Sequence, residues 1–79
     1  MKCEDVVNGN FFLTGIRING TFYTVEKINK EGRYLICSQY DDTNAENADG
    51  INDLFHVFNF QFDELDSVDT EYYQSVKIN

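Results

Sequence analysis

Apolar and polar residues alternate along most of this chain with the two-residue period of a β-strand, and the interruptions fall at short polar turns. The clearest pair of runs is Phe11 to Ile18 and Thr21 to Ile28, separated only by Asn19-Gly20. Both turn residues tolerate a positive φ, which a two-residue type I′ hairpin requires. That turn sets Ile18 opposite Thr21, Ile16 opposite Tyr23 and Thr14 opposite Val25. The next connection, Asn29-Lys30-Glu31-Gly32, ends in a glycine suited to the left-handed position of a longer loop. It returns the chain as Arg33 to Tyr40, with Val25 expected opposite Ile36 and Tyr23 opposite Ser38. A fourth run, Leu54 to Phe62, places Leu54, His56, Phe58, Phe60 and Phe62 on one side.

The ends are less regular. Residues 1 to 10 form a weak element closing in Asn8-Gly9-Asn10. Phe62-Asp63-Glu64-Leu65-Asp66 reads as a short helical or 3₁₀ turn with Asp63 as its cap. Tyr72, Gln74, Val76 and Ile78 then alternate as a fifth strand. The rival reading makes residues 63 to 75 one helix, since Leu65, Val68 and Tyr72 share helical spacing; the adjacent tyrosines and β-branched residues favour the strand.

Ideal alternation gives the meander two apolar faces. One collects Phe12, Ile16, Ile18, Tyr23, Val25, Tyr34, Ile36 and Tyr40; the other carries Phe11, Leu13, Phe22, Ile28, Leu35 and Cys37. Either the sheet curls until both faces are partly interior, or the second face meets another molecule. Curling also relieves exposed strand edges. The expected fold is therefore all-β: a five-stranded SH3-like barrel or a strongly curled antiparallel sheet, with one long acidic loop and a helical turn before the last strand. The resemblance to SH3-like barrels rests on the order of these elements.

Composition bounds what such a domain can do. Seventy-nine residues are enough for one domain, near the lower size limit for a core without staples. Twelve aromatics and 42% hydrophobic residues set it apart from disordered acidic tails. The opening Met1-Lys2-Cys3-Glu4-Asp5 lacks the apolar stretch of a secretory signal, so a cytoplasmic location is expected. Cys3 and Cys37 are then expected as free thiols.

Charge is the outlier, at a net −8. Residues 1 to 33 hold five bases and four acids, a net of +1; residues 34 to 76 hold ten acids and no base, and Lys77 restores one charge. Direct binding to nucleic acid or anionic membrane is disfavoured, because that affinity comes from lysine and arginine replacing counterions. A basic protein surface is the expected partner.

Catalytic signatures are sparse. Asp42, Asn44, Glu46 and Asp53 match four positions of a twelve-residue calcium loop, but Asn47 stands where glycine is needed and strands flank it where helices belong. No metal or other cofactor is therefore expected. His56 is the only histidine and is expected to pack among core phenylalanines. Adjacent carboxylates such as Asp41-Asp42 and Asp63-Glu64 read as solvated charge, and no enzyme activity is expected.

What remains is the acidic surface with its tyrosines. Tyr40, Asp41, Asp42, Glu46, Asp49 and Asp53 would project from the long loop and its approach; Asp63, Glu64, Asp66, Asp69, Glu71, Tyr72 and Tyr73 follow the fourth strand. Carboxylates on a rigid scaffold reproduce the spaced charge of a phosphate backbone, and tyrosine adds contact area at little entropic cost. The expectation is an inhibitor that mimics nucleic acid and occupies the groove of a nucleic-acid-binding protein or nuclease complex. In size, acidity and lack of enzyme motifs the chain is similar to small phage-encoded inhibitors, namely anti-CRISPR proteins, antirestriction proteins and uracil-DNA glycosylase inhibitors, although no residue is carried over. The alternative is a β-barrel accessory or assembly module that binds a partner, or a second copy, through an apolar sheet face containing Leu13, Phe22 and Leu35.

Overall fold

The computed structural model describes residues 1–41 and 54–76, with backbone only for residues 40, 41, 54 and 55. Five antiparallel strands form one sheet: β1 (Phe11–Ile18), β2 (Thr21–Asn29), β3 (Tyr34–Asp41), β4 (Leu54–Gln61) and β5 (Thr70–Val76), in the order β4-β3-β2-β1-β5. Two five-residue helices, α1 (Cys3–Val7) and α2 (Phe62–Asp66), pack on one face. The outer strands β4 and β5 do not pair with each other, so the sheet is curled and open, and the barrel does not close.

The first hairpin follows from its turn chemistry. Asn19 and Gly20 take φ of 49° and 88°, and Ile18 pairs with Thr21 and Ile16 with Tyr23. The second hairpin differs from expectation. Its left-handed residue is Arg33, at φ 58°, and Gly32 is not in that region. Asn29 is the reason: its side-chain oxygen accepts the Gly32 amide at 2.6 Å and its Nδ2 donates to the Tyr34 hydroxyl. That clamp makes Asn29 the last paired residue, opposite Tyr34, and moves the loop to residues 30–33.

The register then shifts again. Val25 lies opposite Cys37 and Lys27 opposite Ile36, leaving Glu26 as an extra, bulged residue. A second irregularity sits between Leu13 and Gly15 in the pairing of β1 with β5, with Thr14 as the extra residue. A bulge reverses which face the following residues occupy. Leu13 and Ile16 therefore share a face, as do Val25 and Ile28, although each pair is three residues apart.

These two bulges resolve the apparent excess of apolar faces. The face beneath the helices gathers Leu13, Ile16, Leu35 and Cys37, fully or nearly buried with Cys3, Val6, Val7, Phe62 and Leu65. Ile18, Tyr23, Val25, Ile28, Phe60 and Tyr72 pack around them. Phe12, Phe22, Tyr34 and Ile36 fall on the opposite face. Leu13 and Leu35 are thus interior residues and cannot lie in a contact between two copies; of the three proposed for that role, only Phe22 is exposed.

Each helix is too short to persist alone and is held by contacts from elsewhere. In α1 the spacing of Cys3, Val6 and Val7 turns one side to the sheet, and the Cys3 amide donates to Asp66 Oδ1 at 2.8 Å. In α2 the cap is Gln61, where Asp63 was expected. Gln61 and Glu64 form a reciprocal capping box, the Gln61 amide reaching Glu64 Oε2 at 3.3 Å. The turn-plus-strand reading of residues 63–75 holds, because the helix ends at Asp66 and β5 starts at Thr70.

Candidate protein-interaction surface

The acidic side of the molecule is built by the two helices. Glu4 and Asp5 occupy the first turn of α1, Asp63 and Glu64 the first turn of α2, and Asp66 its end. Carboxylates in a first turn complement exposed backbone amides, which is one local reason these helices form. Because α1 packs against α2, the five acids share one side of the protein. Arg33 stands among them, its guanidinium 3.1 Å from Glu4 and 3.6 Å from Asp63, and 5.3 Å from the centre of the Phe62 ring. The hydrogen bond and charge of Glu4, and then Asp63, raise the already high pKa of Arg33. These exposed pairs add little stability, but they fix the arginine where the hairpin loop meets both helices.

The acids of the C-terminal half do not all converge. Asp63, Glu64 and Asp66 lie on α2, and three of their contacts are internal: an ion pair, a cap and the hold on Cys3. Asp69 and Glu71 lie beside the β1–β2 turn, where the Asn19 amide donates to the Asp69 carbonyl at 2.8 Å. Glu71 is in register with Arg17 and accepts the Tyr73 hydroxyl at 3.1 Å. Asp42, Glu46, Asp49 and Asp53 lie outside the described residues, as does the calcium-loop pattern that includes Asn44. Tyr40 and Asp41 close β3, paired through their backbones with Phe55 and Leu54.

The two adjacent tyrosines separate by strand alternation. Tyr72 faces the helices, half-buried, with its hydroxyl near the Cys3 thiol; burial, and then the neighbouring Cys3, raise its pKa. Tyr73 faces the other way, onto the sheet surface that no described element covers. There the Phe22 ring sits directly over Gly15, so close that a Cβ at Gly15 would come within 2.7 Å of it. Phe22 meets Tyr73 edge to face, with ring centres 5.4 Å apart, and the Arg17 guanidinium lies 5.8 Å from the Tyr73 centre. Sequence reasoning named Tyr73 and Phe22 but not Arg17 or Gly15. The available signal was Gly15 itself, a residue without a side chain in mid-strand, which marks a close approach by a neighbour.

Groups with possible chemistry are placed as follows. His56 is exposed near Phe58 on β4, not packed in the core as its alternation suggested, because it lies toward the end of β4 away from α2, whereas Phe60 packs near the helices. Cys3 and Cys37 are free and fully buried. Burial pushes Cys3 up to about 11, partly offset by the neighbouring Tyr72 hydroxyl, and burial with the nearby Cys3 pushes Cys37 up to about 12. Neither thiol is a nucleophile at neutral pH. Among the described residues no group of three His, Cys, Asp or Glu is placed to hold a metal, and no helix is long and apolar enough to cross a membrane. No family model matches the chain, and no curated protein or solved structure is similar enough to count as a match.

Proposed function

We propose that this chain is a non-catalytic interaction module that presents its acidic helical side to a basic surface of another protein. The observation that carries this reading is the grouping of Glu4, Asp5, Asp63, Glu64 and Asp66 on two packed helices, where Arg33 pairs with Glu4 and Asp63. Such a side attracts a lysine- and arginine-lined groove from a distance and speeds encounter. Blocking a groove that normally holds nucleic acid is the form of interaction that spaced carboxylates on a rigid scaffold suit best, which makes the module an inhibitor.

The test separates charge from folding. Glu64 and Asp66 hold the helices together, so reversing them would confound the two. Asp63, 91% exposed, and Asp5 contribute only first-turn charge and, for Asp63, an exposed pair with Arg33, so reversing them costs little stability. Partners captured from an extract by the wild-type chain are expected to elute over a steep salt gradient. The double variant Asp5→Lys/Asp63→Lys is expected to lose them while keeping its circular dichroism spectrum. Capture that is indifferent to salt and survives this double variant would sink the proposal.

A second reading, an accessory module that binds through its apolar sheet face, is favoured by one observation: Phe12 and Phe22 are 54% and 48% exposed on the side opposite the helices. It predicts capture lost in Phe22→Glu and kept in the charge variant.

A further inference from the structure

The sheet surface opposite the helices is ordered, aromatic and electrically unlike the rest of the molecule. Phe12, Phe22 and Val57 are about half exposed or more on it, and exposed apolar area of this kind on one face marks a contact surface. Its centre needs no rearrangement to bind. Phe22 is seated on Gly15 and against Tyr73, Arg17 lies over the Tyr73 ring, and the Tyr73 hydroxyl is bonded to Glu71. Side chains already fixed lose little further entropy on association.

Charge decides the occupant. In a protein of net −8, this face carries both signs: Arg17, Lys27 and Glu71 are placed there by their pairing with Phe22, Ile36 and Arg17 respectively, and the exposed, bulged Glu26 stands beside Lys27. The acids of α1 and α2 are on the far side. Two copies that meet face to face through this surface keep their acidic sides apart. Arg17 and Glu71, directly opposite each other on neighbouring strands, form a self-complementary pair: under two-fold symmetry, Arg17 of one copy meets Glu71 of the other. A basic partner gains no net attraction from this balanced set and is drawn instead to the acidic helices, while nucleic acid is repelled by the net charge.

We propose that this face is the interface of a symmetric homodimer, centred on Phe22 and Tyr73 and keyed by Arg17 and Glu71. It leaves the helical side free, so dimerisation and capture of a basic partner are separable properties.

Sedimentation equilibrium over a range of concentrations tests this directly. The wild-type chain of 9.2 kDa is expected to run at twice that mass. Phe22→Glu and, independently, Phe12→Glu are expected to weaken the dimer by more than about tenfold with unchanged circular dichroism. Arg17→Glu alone is expected to weaken it, and mixing that chain with one carrying Glu71→Arg, a swapped pair of copies, to restore it as a heterodimer, which the pairing of the two residues within one copy would not do. The proposal is overturned if the wild-type chain stays monomeric throughout, if the dimer survives both phenylalanine variants, or if the swapped pair fails to recover what Arg17→Glu loses. Binding of an unlike protein to this face by a monomeric chain would overturn it as well. Failure here leaves the helical side's behaviour in the salt-gradient test unaffected.

Discussion

Cys3 and Cys37 tie the N-terminal helix to the middle of the sheet, and their burial gives the fold a dependence on alkaline pH. Each thiol has an ordinary value of 9.0, and burial raises them to about 11 and about 12 in the folded chain. Above pH 9 the unfolded chain releases protons that the folded chain retains. The stabilisation is therefore whole below about pH 9 and is lost as pH climbs through 11 to 12. The half-buried Tyr72 acts in the same direction. The urea midpoint is expected to fall between pH 8 and pH 10.5. Replacing Cys37 with alanine should lower the midpoint at every pH, through the lost packing, and flatten its slope with pH; a slope unchanged in that variant would show that the thiol does not titrate as argued. Arg33 is the other residue whose position outweighs its contacts. It accepts a left-handed backbone, costing a side chain on the order of 1 kcal/mol, while its carbonyl receives the Phe62 amide at 2.9 Å and its guanidinium reaches both helices.

Among the elements, those governed by neighbours in sequence could be read in advance. Asn19-Gly20 specifies its own turn, and β1 runs over the residues its alternation marks out. The short helix before β5 was legible for the same reason. The bulges were not, because a bulge is a property of two strands together. Their trace in one strand is an apolar pair spaced by three, Leu13 with Ile16 and Val25 with Ile28, which strict alternation assigns to opposite faces. Helix α1 was also hidden, since Lys2 supplies no side-chain cap and the carboxylate that accepts the Cys3 amide is 63 residues away. The acidic side was only half visible: the residues of α2 were named, while Glu4 and Asp5 join them only through helix packing. A test of the bulge follows. Deleting Glu26 leaves Val25, Lys27 and Ile28 in ordinary alternation with every side chain on its present face. That deletion is expected to fold cooperatively at a cost of about 1–2 kcal/mol in urea unfolding. Deleting Thr24 instead puts Tyr23 and Val25 on opposite faces, and that variant is expected not to fold.

For the whole molecule, the uneven charge should show itself in stability. The excess of eight negative charges is only locally compensated, by Arg33 among the helical acids and Arg17 beside Glu71. Raising ionic strength from 10 mM to 1 M shortens the screening length from about 30 Å to about 3 Å. Self-repulsion is screened more than the few short ion pairs are, so the urea midpoint is expected to rise with sodium chloride. A midpoint that falls would mean that the short pairs outweigh the repulsion. The bond between the Cys3 amide and Asp66 also bears on how the molecule comes into being. The first helix is completed by a carboxylate 63 residues further along, so during synthesis its opening turn waits, unfinished, until that carboxylate has left the ribosome. The two helices are then completed together, and a chain cut short before Asp66 forfeits order in α1 as well as at the cut.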